Sequence, residues 1–253
     1  MDIKIIVATH KQYWMPDDLM YLPVHAGAAG KEDIGYQRDD EGDNISAKNP
    51  NYCELTDLYW AWKNLKADYI GLVHYRRHFS NGRLFIDKKK KVIIQEELEK
   101  KLKSTDILLP KPRNYWIETN YSQYAHAHHA IDLDKTKEIL AEKYPEYIKA
   151  WESSMKKTTG HRFNMFIMKK DKFDEYCAWL FDILFELEKR LDISTYNKND
   201  SRVFGFVSER LLDVWIETNG YQYKNMPYVF MEEQNWIIKG SKFIKRKMKK
   251  GAS

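Results

Sequence analysis

Two short polar groups carry the densest chemistry in the chain: Thr9-His10-Lys11 and His74-Tyr75-Arg76-Arg77. Each closes an apolar run short enough to be a buried strand, residues 3–8 (IKIIVA) and 69–73 (YIGLV). If both runs belong to one open α/β sheet, their carboxyl ends lie on the edge where such sheets bind ligands. Lys11, Arg76 and Arg77 then gather positive charge with no acid between them. Guanidinium forks match phosphate oxygens in bidentate fashion, so the patch suits a diphosphate. The plainer alternative is that the two arginines pair with surface carboxylates.

Three other groups bear on chemistry. In the polar stretch at residues 39–44 (DDEGDN), Asp39, Asp40, Glu41 and Asp43 are candidates for a divalent cation or a ribose. The spacing is not that of an EF-hand, and Asp and Asn here also make turns. The run HAHHAIDLD brings His126, His128, His129 and Asp132 together without a zinc spacing. On one helix His128 and Asp132 stand at i and i+4, so a hydrogen-bonded pair competes with a catalytic or acceptor-binding role. Glu209, in FGFVSERLL, is a candidate carboxylate base for sugar transfer, against an ordinary Glu–Arg pair on a solvated face.

The elements that position these groups alternate. Strands are expected at residues 3–8, 21–27, 69–73, 106–109, 161–170 and 228–231, with Pro110 stopping the fourth. Apolar stripes at helical period predict helices over about 51–65, 95–103, 118–147, 171–191 and 203–218. Asp134 and Asp171 are the expected N-caps of the second piece of the third and of the fourth. Residues 30–50 read as a long loop, a length that is usually functional or disordered. Strand–helix alternation without repeats predicts one α/β domain over residues 1–235. A basic amphipathic tail follows at 236–253, its aromatic and aliphatic residues spaced for an anionic membrane surface.

The 253 residues are ample for a core, and 43% hydrophobic with 31% charged is ordinary for a folded soluble chain. The net charge of +5 is concentrated in the tail, which argues against a nucleic-acid partner. Cys53 and Cys177 sit in amphipathic helical patterns and read as small buried hydrophobes of a reducing compartment. No run approaches the roughly 20 apolar residues of a membrane span. The first residues lack a secretory pattern, so a cytoplasmic protein is expected.

The blocks KIIVATHK, GDNISAKNPNYCELTDLYWAWKN, DYIGLVHYRRHF, FNMFIMKK and FGFVSERLL resemble the signature blocks of the family called domain of unknown function 4422. That family consists of bacterial glycosyltransferases of capsular and exopolysaccharide clusters, some associated with galactofuranose transfer. The blocks fall between about residues 2 and 216.

The resemblance implies a GT-A-like, Rossmann-related nucleotide-sugar transferase domain with a mixed, mainly parallel sheet. It further implies transfer of a hexosyl group, galactosyl or galactofuranosyl among them, from a UDP-sugar to a lipid-linked glycan. In GT-A enzymes the strand ending near this point carries Asp-x-Asp, which holds Mn²⁺ or Mg²⁺ on the donor diphosphate. Here the matching position is His74-Tyr75-Arg76-Arg77, so arginine is expected to replace the metal; no metal ligand is assigned, and Mn²⁺ or Mg²⁺ stays the alternative cofactor. On this reading Thr9, His10, Lys11, Asp40, Asp43, Asn44, His74, Tyr75, Arg76 and Arg77 bind the donor. His128, His129 and Asn164 meet the acceptor, and Glu209, with Asp132 second, is the base. The tail would keep the enzyme peripheral on the inner face of the plasma membrane. The rivals are a non-catalytic module binding glycan or anionic lipid, and a metal-dependent hydrolase built on the histidine cluster.

Overall fold

The computed structural model describes residues 1–233. The basic tail at 236–253 lies outside them. The central sheet is formed by β1 (Ile3–Thr9), β2 (Tyr21–His25), β3 (Gln37–Arg38), β4 (Tyr69–His74), β6 (Ile107–Pro110), β9 (Phe166–Lys169) and β10 (Lys224–Met226). Their spatial order is β10-β6-β9-β4-β1-β2-β3. β1 is parallel to β2 and β4, β2 to β3, and β6 to β10, whereas β9 runs antiparallel to both its neighbours. This is a mixed, mainly parallel α/β sheet. Two short strands, β5 (Arg77–Phe79) and β11 (Tyr228–Phe230), extend it beside β4. A separate ribbon joins β7 (Arg113–Asn114) to β8 (Thr159–Gly160).

The period of two along each strand divides the core into two layers. From β1, Ile6 and Ala8 face one cluster while Ile3, Ile5 and Val7 face the other. From β4, Ile70 and Leu72 join the first, and Tyr69 and Val73 the second. The first layer is covered by α2 (Leu55–Asn64), α5 (Ala130–Lys143), α6 (Ile148–Lys156), α7 (Lys170–Arg190) and α8 (Val203–Asn219). The second is covered by α3 (Gln95–Leu102) and the aromatic segment holding Tyr13 and Trp14. At Gly71 an added Cβ would stand 2.9 Å from Ile167 Cγ1 and 3.3 Å from Ile5 Cγ1, so only glycine lets β4 fit between these neighbours.

Three expectations need correction. The helix expected over 51–65 is two helices, α1 (Asn49–Tyr52) and α2, broken at Cys53. There φ is 53° and ψ −133°, outside any helical conformation. Cys53 is therefore a junction residue, and only Cys177 is a fully buried helical cysteine. Asp134 lies inside α5, whose N-cap is His129, and Asp171 lies in the first turn of α7 behind Lys169. For Asp171, a carboxylate in the first turn complements the helix dipole much as a cap does, so composition alone did not separate the two positions. The third helical stretch starts with α4 (Asn120–Ala127), capped by Thr119, whose side chain accepts from Ser122 N.

Candidate active site

The parallel register of β1 and β4 sets Ala8 opposite His74. The groups that follow each strand therefore meet at one sheet edge. A cleft of about 490 Å³ opens there, floored by Ala8 and Ala26 and reached by Thr9, His10, His74 and Arg76. Its other wall comes from Asn49, Pro50, Cys53 and Glu54 at the α1–α2 junction and from Lys198, Ser201 and Arg202 ahead of α8. Lys31, Arg76, Lys198 and Arg202 give the wall four cations against one carboxylate, Glu54. Such a wall attracts a polyanion.

The two cleft histidines are neutral donors or acceptors rather than further cations. Burial, then the charges of Arg76 and Arg77, push His74 down to about 2. Its Nδ1 accepts the Arg76 backbone N–H at 3.2 Å, so the neutral ring carries its proton on Nε2 and can donate from there. Burial and then Lys11 lower His10. Thr9 is buried, its hydroxyl donating to the Lys11 carbonyl at 2.7 Å. It shapes the turn, and Lys11 itself reaches over the rings of Tyr13 and Tyr75. Tyr75 is buried and packs on His74.

The tight turn between β4 and β5 sends the two arginines to different places. Arg76 is exposed at the cleft, with Glu232 at 3.7 Å. The Arg77 guanidinium carbon stands over the Phe163 ring, 3.5 Å from its centroid, with the Phe230 ring at 5.1 Å. Burial lowers its guanidinium to about 10, while Glu209 and Glu54 pull the other way. It remains a cation at neutral pH. Among the described residues its buried Nε has no hydrogen-bond partner.

Glu54 is the residue that sequence reasoning missed, and it corrects the view of the patch as free of acid. It directly follows the break at Cys53, which turns its carboxylate from the helix surface toward the cleft. That break is braced by Gly205 of α8, where an added Cβ would meet Cys53 Cβ and Sγ at 3.3 Å. Asn164 Nδ2 donates to Glu54 Oε1 at 2.8 Å, and Asn164 Oδ1 accepts from Ser208 Oγ at 2.7 Å. Burial raises the Glu54 pKa, and the Glu209 charge adds to the rise. Glu209 accepts the Phe163 N–H at 3.1 Å, with Arg210 Nη1 at 3.4 Å from its other oxygen. Cys53, Phe163 and Asn164 all have positive φ (53°, 81° and 53°). Three such non-glycine residues around two carboxylates mark stored backbone strain of the kind found at functional sites.

Other expected site residues lie elsewhere. Asp40 is paired with Arg38 at 2.7 Å, Asp43 accepts from Tyr59 at 3.4 Å, and Asn44 bonds the Asp40 and Gly42 carbonyls. Residues 40–44 thus bond mainly within their own stretch, and none of them lines the cleft. Asp39 instead accepts the Gly27 and Ala28 N–H groups at 2.7 and 2.8 Å, as well as Ser46 Oγ, and so fixes the cleft floor. His128 bonds Asp200 at 2.9 Å and His129 approaches it at 3.6 Å, so they brace the Lys198–Arg202 wall from behind. The expected His128–Asp132 pair is not formed, because α4 ends at His128 before α5 begins. Asp132 is 1% exposed and accepts from Tyr124 and Tyr196 at 2.9 and 2.7 Å, which makes it part of the core rather than a base.

Among the described residues no group of three or more His, Cys, Asp or Glu is placed to hold a metal ion. Among them also, no helix is long and apolar enough to cross a membrane.

The family described as domain of unknown function (DUF4422) matches residues 4–220. No curated protein matches the sequence. A solved structure, the apo form of the bifunctional glycosyltransferase WbbM, is 34% identical with a TM-score of 0.86. The match covers 92% of this chain and 46% of that one, so this chain spans about half the length of its structural neighbour.

Proposed function

We propose that this chain, which belongs to the DUF4422 family, is a glycosyltransferase that moves a hexosyl group from a UDP-sugar to a glycan acceptor. The observation that carries the reading is the cationic cleft at the carboxyl ends of β1 and β4, with Glu54 and Glu209 beside it. The similarity to one half of a bifunctional glycosyltransferase supports it, as does a fold consistent with a GT-A-like domain.

The donor diphosphate would lie against Arg76, Lys31 and Arg202, with His74 Nε2–H as a neutral donor. Catalysis at such a site is chiefly stabilisation of the charge that develops on the leaving group. The residues do not fit the divalent ion that GT-A enzymes place here. His74-Tyr75-Arg76-Arg77 offers no oxygen donor set, and cations stand where carboxylates would hold a metal. No step is assigned to a metal.

Glu54 is the better-placed base, with Glu209 holding the strained Phe163 turn. In an inverting transfer Glu54 takes the proton of the acceptor hydroxyl as its oxygen attacks the anomeric carbon. The bond from that carbon to the phosphate oxygen breaks, and UDP leaves with the electron pair. Arg77, whose charge couples to both carboxylates, favours the ionised form of the base. The acceptor we favour is a lipid-linked glycan of capsular or extracellular polysaccharide synthesis, with galactosyl or galactofuranosyl as the group transferred.

The test is calorimetric titration of UDP in EDTA and in Mn²⁺, with wild type and the Arg76→Ala/Arg77→Ala double variant. Binding in EDTA that vanishes in the double variant supports the reading. Binding only with Mn²⁺ returns the diphosphate to a metal. No binding in either buffer, with glycan binding retained, favours a non-catalytic glycan-binding module.

A further inference from the structure

Away from the cleft, residues 81–91 (NGRLFIDKKKK) form a loop whose ends are closely tied. Asn81 N donates to the Lys91 carbonyl at 2.9 Å, and Asn81 Nδ2 to the Lys90 carbonyl at 3.1 Å. A bridge between Ser80 and Val92 closes the base. The tip is therefore held out from the body, and it is apolar: Leu84 is 71% exposed and Phe85 99%. Phe85 sits at φ 55°, a conformation in which a bulky residue is an outlier. The fold thus accepts strain at a residue that it does not bury.

Behind the tip stand four consecutive lysines, 88–91. Within the loop, five basic residues (Arg83 and the four lysines) face one acid, Asp87, a net +4. Arg83 is paired with Glu97 at 2.8 Å, and Lys89 rests over Trp14 at 5.4 Å. Among the described residues, none of the four lysines has a carboxylate at ion-pair distance.

We propose that this loop seats the protein on an anionic lipid bilayer. Leu84 and Phe85 enter the boundary between headgroups and acyl chains, and the lysines stand over lipid phosphates. An apolar tip with cations one layer behind it reproduces the polarity profile of a membrane interface. The convex shape of the tip suits insertion. Strand β5, which leads into the loop, begins at Arg77 and spans about 10 Å at the usual rise per residue. Seating the loop brings the catalytic turn close to the bilayer. The inference is independent of the transfer reaction, because binding to vesicles needs no donor.

The test is co-sedimentation of the full chain with phosphatidylcholine vesicles, with and without phosphatidylserine. Wild type is expected to bind the phosphatidylserine vesicles, and more weakly as salt rises. Leu84→Ser/Phe85→Ser and, separately, Lys88→Gln/Lys89→Gln/Lys90→Gln/Lys91→Gln should each lower binding about tenfold or more with an unchanged melting temperature. Trp116→Ser removes an aromatic that is 81% exposed in another loop and should leave binding as it was. Absence of wild-type binding overturns the proposal. So does wild-type binding that survives both loop variants, or that falls as much in Trp116→Ser. Neither result bears on UDP affinity, so failure here is distinguishable from failure of the transferase reading.

Discussion

Asn164 holds Glu54: its Nδ2 donates to Glu54 Oε1 at 2.8 Å from a residue that is itself in the left-handed region at φ 53°. Glu54 is thereby held on the cleft wall by a buried side chain 110 positions away, each beside or within a strained backbone.

Glu54→Gln should leave UDP affinity nearly unchanged and lower kcat by about a hundredfold or more, the range of general-base catalysis. Glu209→Gln should retain more activity. Equal activity of wild type and Glu54→Gln in single-turnover assays would remove Glu54 from the mechanism. Since burial and Glu209 raise the Glu54 pKa, the rate should climb with pH on a limb above the ordinary carboxylate range. Asn164→Ala removes a bond that favours the ionised form and should move that limb further up.

The two arginines should separate by readout. Arg76→Ala is expected to weaken UDP binding about tenfold or more, the scale of one charge-assisted hydrogen bond. Arg77→Ala should change UDP affinity less and lower kcat more, with the acid limb moved upward by loss of the neighbouring cation. The same fall in affinity for both would place Arg77 on the diphosphate instead.

His74, pushed down to about 2, should stay neutral throughout the range in which the protein is folded. Nitrogen NMR of the ring should report a proton on Nε2 and none on Nδ1. An imidazolium signal at mildly acid pH would contradict the hydrogen bond from Arg76 N to His74 Nδ1.

Asp57 links pH to stability. It is fully buried, and burial, then the Asp39 charge and a hydrogen bond shared with Asp39, raises its pKa well up. The folded chain thus binds this proton more tightly than the unfolded chain. The resulting stability is complete below the unfolded carboxylate pKa and is lost as pH rises through the folded value. Asp57→Asn should therefore gain a few degrees in melting temperature over wild type between about pH 4 and pH 8. A difference that does not change with pH would refute the linkage.

Much of this was legible in the residues. The apolar runs of β1 and β4, each ending in a polar cationic group, are local patterns, and parallel pairing in an open sheet brings their ends together. The family blocks and the strand–helix alternation are local in the same sense. What the tertiary structure decided is where side chains point once the chain leaves its regular elements. Glu54 lies in what looks like an unbroken helical stripe, yet the helix breaks at Cys53, which packs against Gly205 of α8, and Glu54 lines the cleft. Arg76 and Arg77 are neighbours in sequence, yet a hairpin turn gives one to the cleft and the other to Phe163. Asp43, His128 and Asp132 have the right chemistry for a site but find partners within the protein. Hydrogen bonding between residues distant in sequence, unlike periodicity, leaves no mark in any short window of the chain.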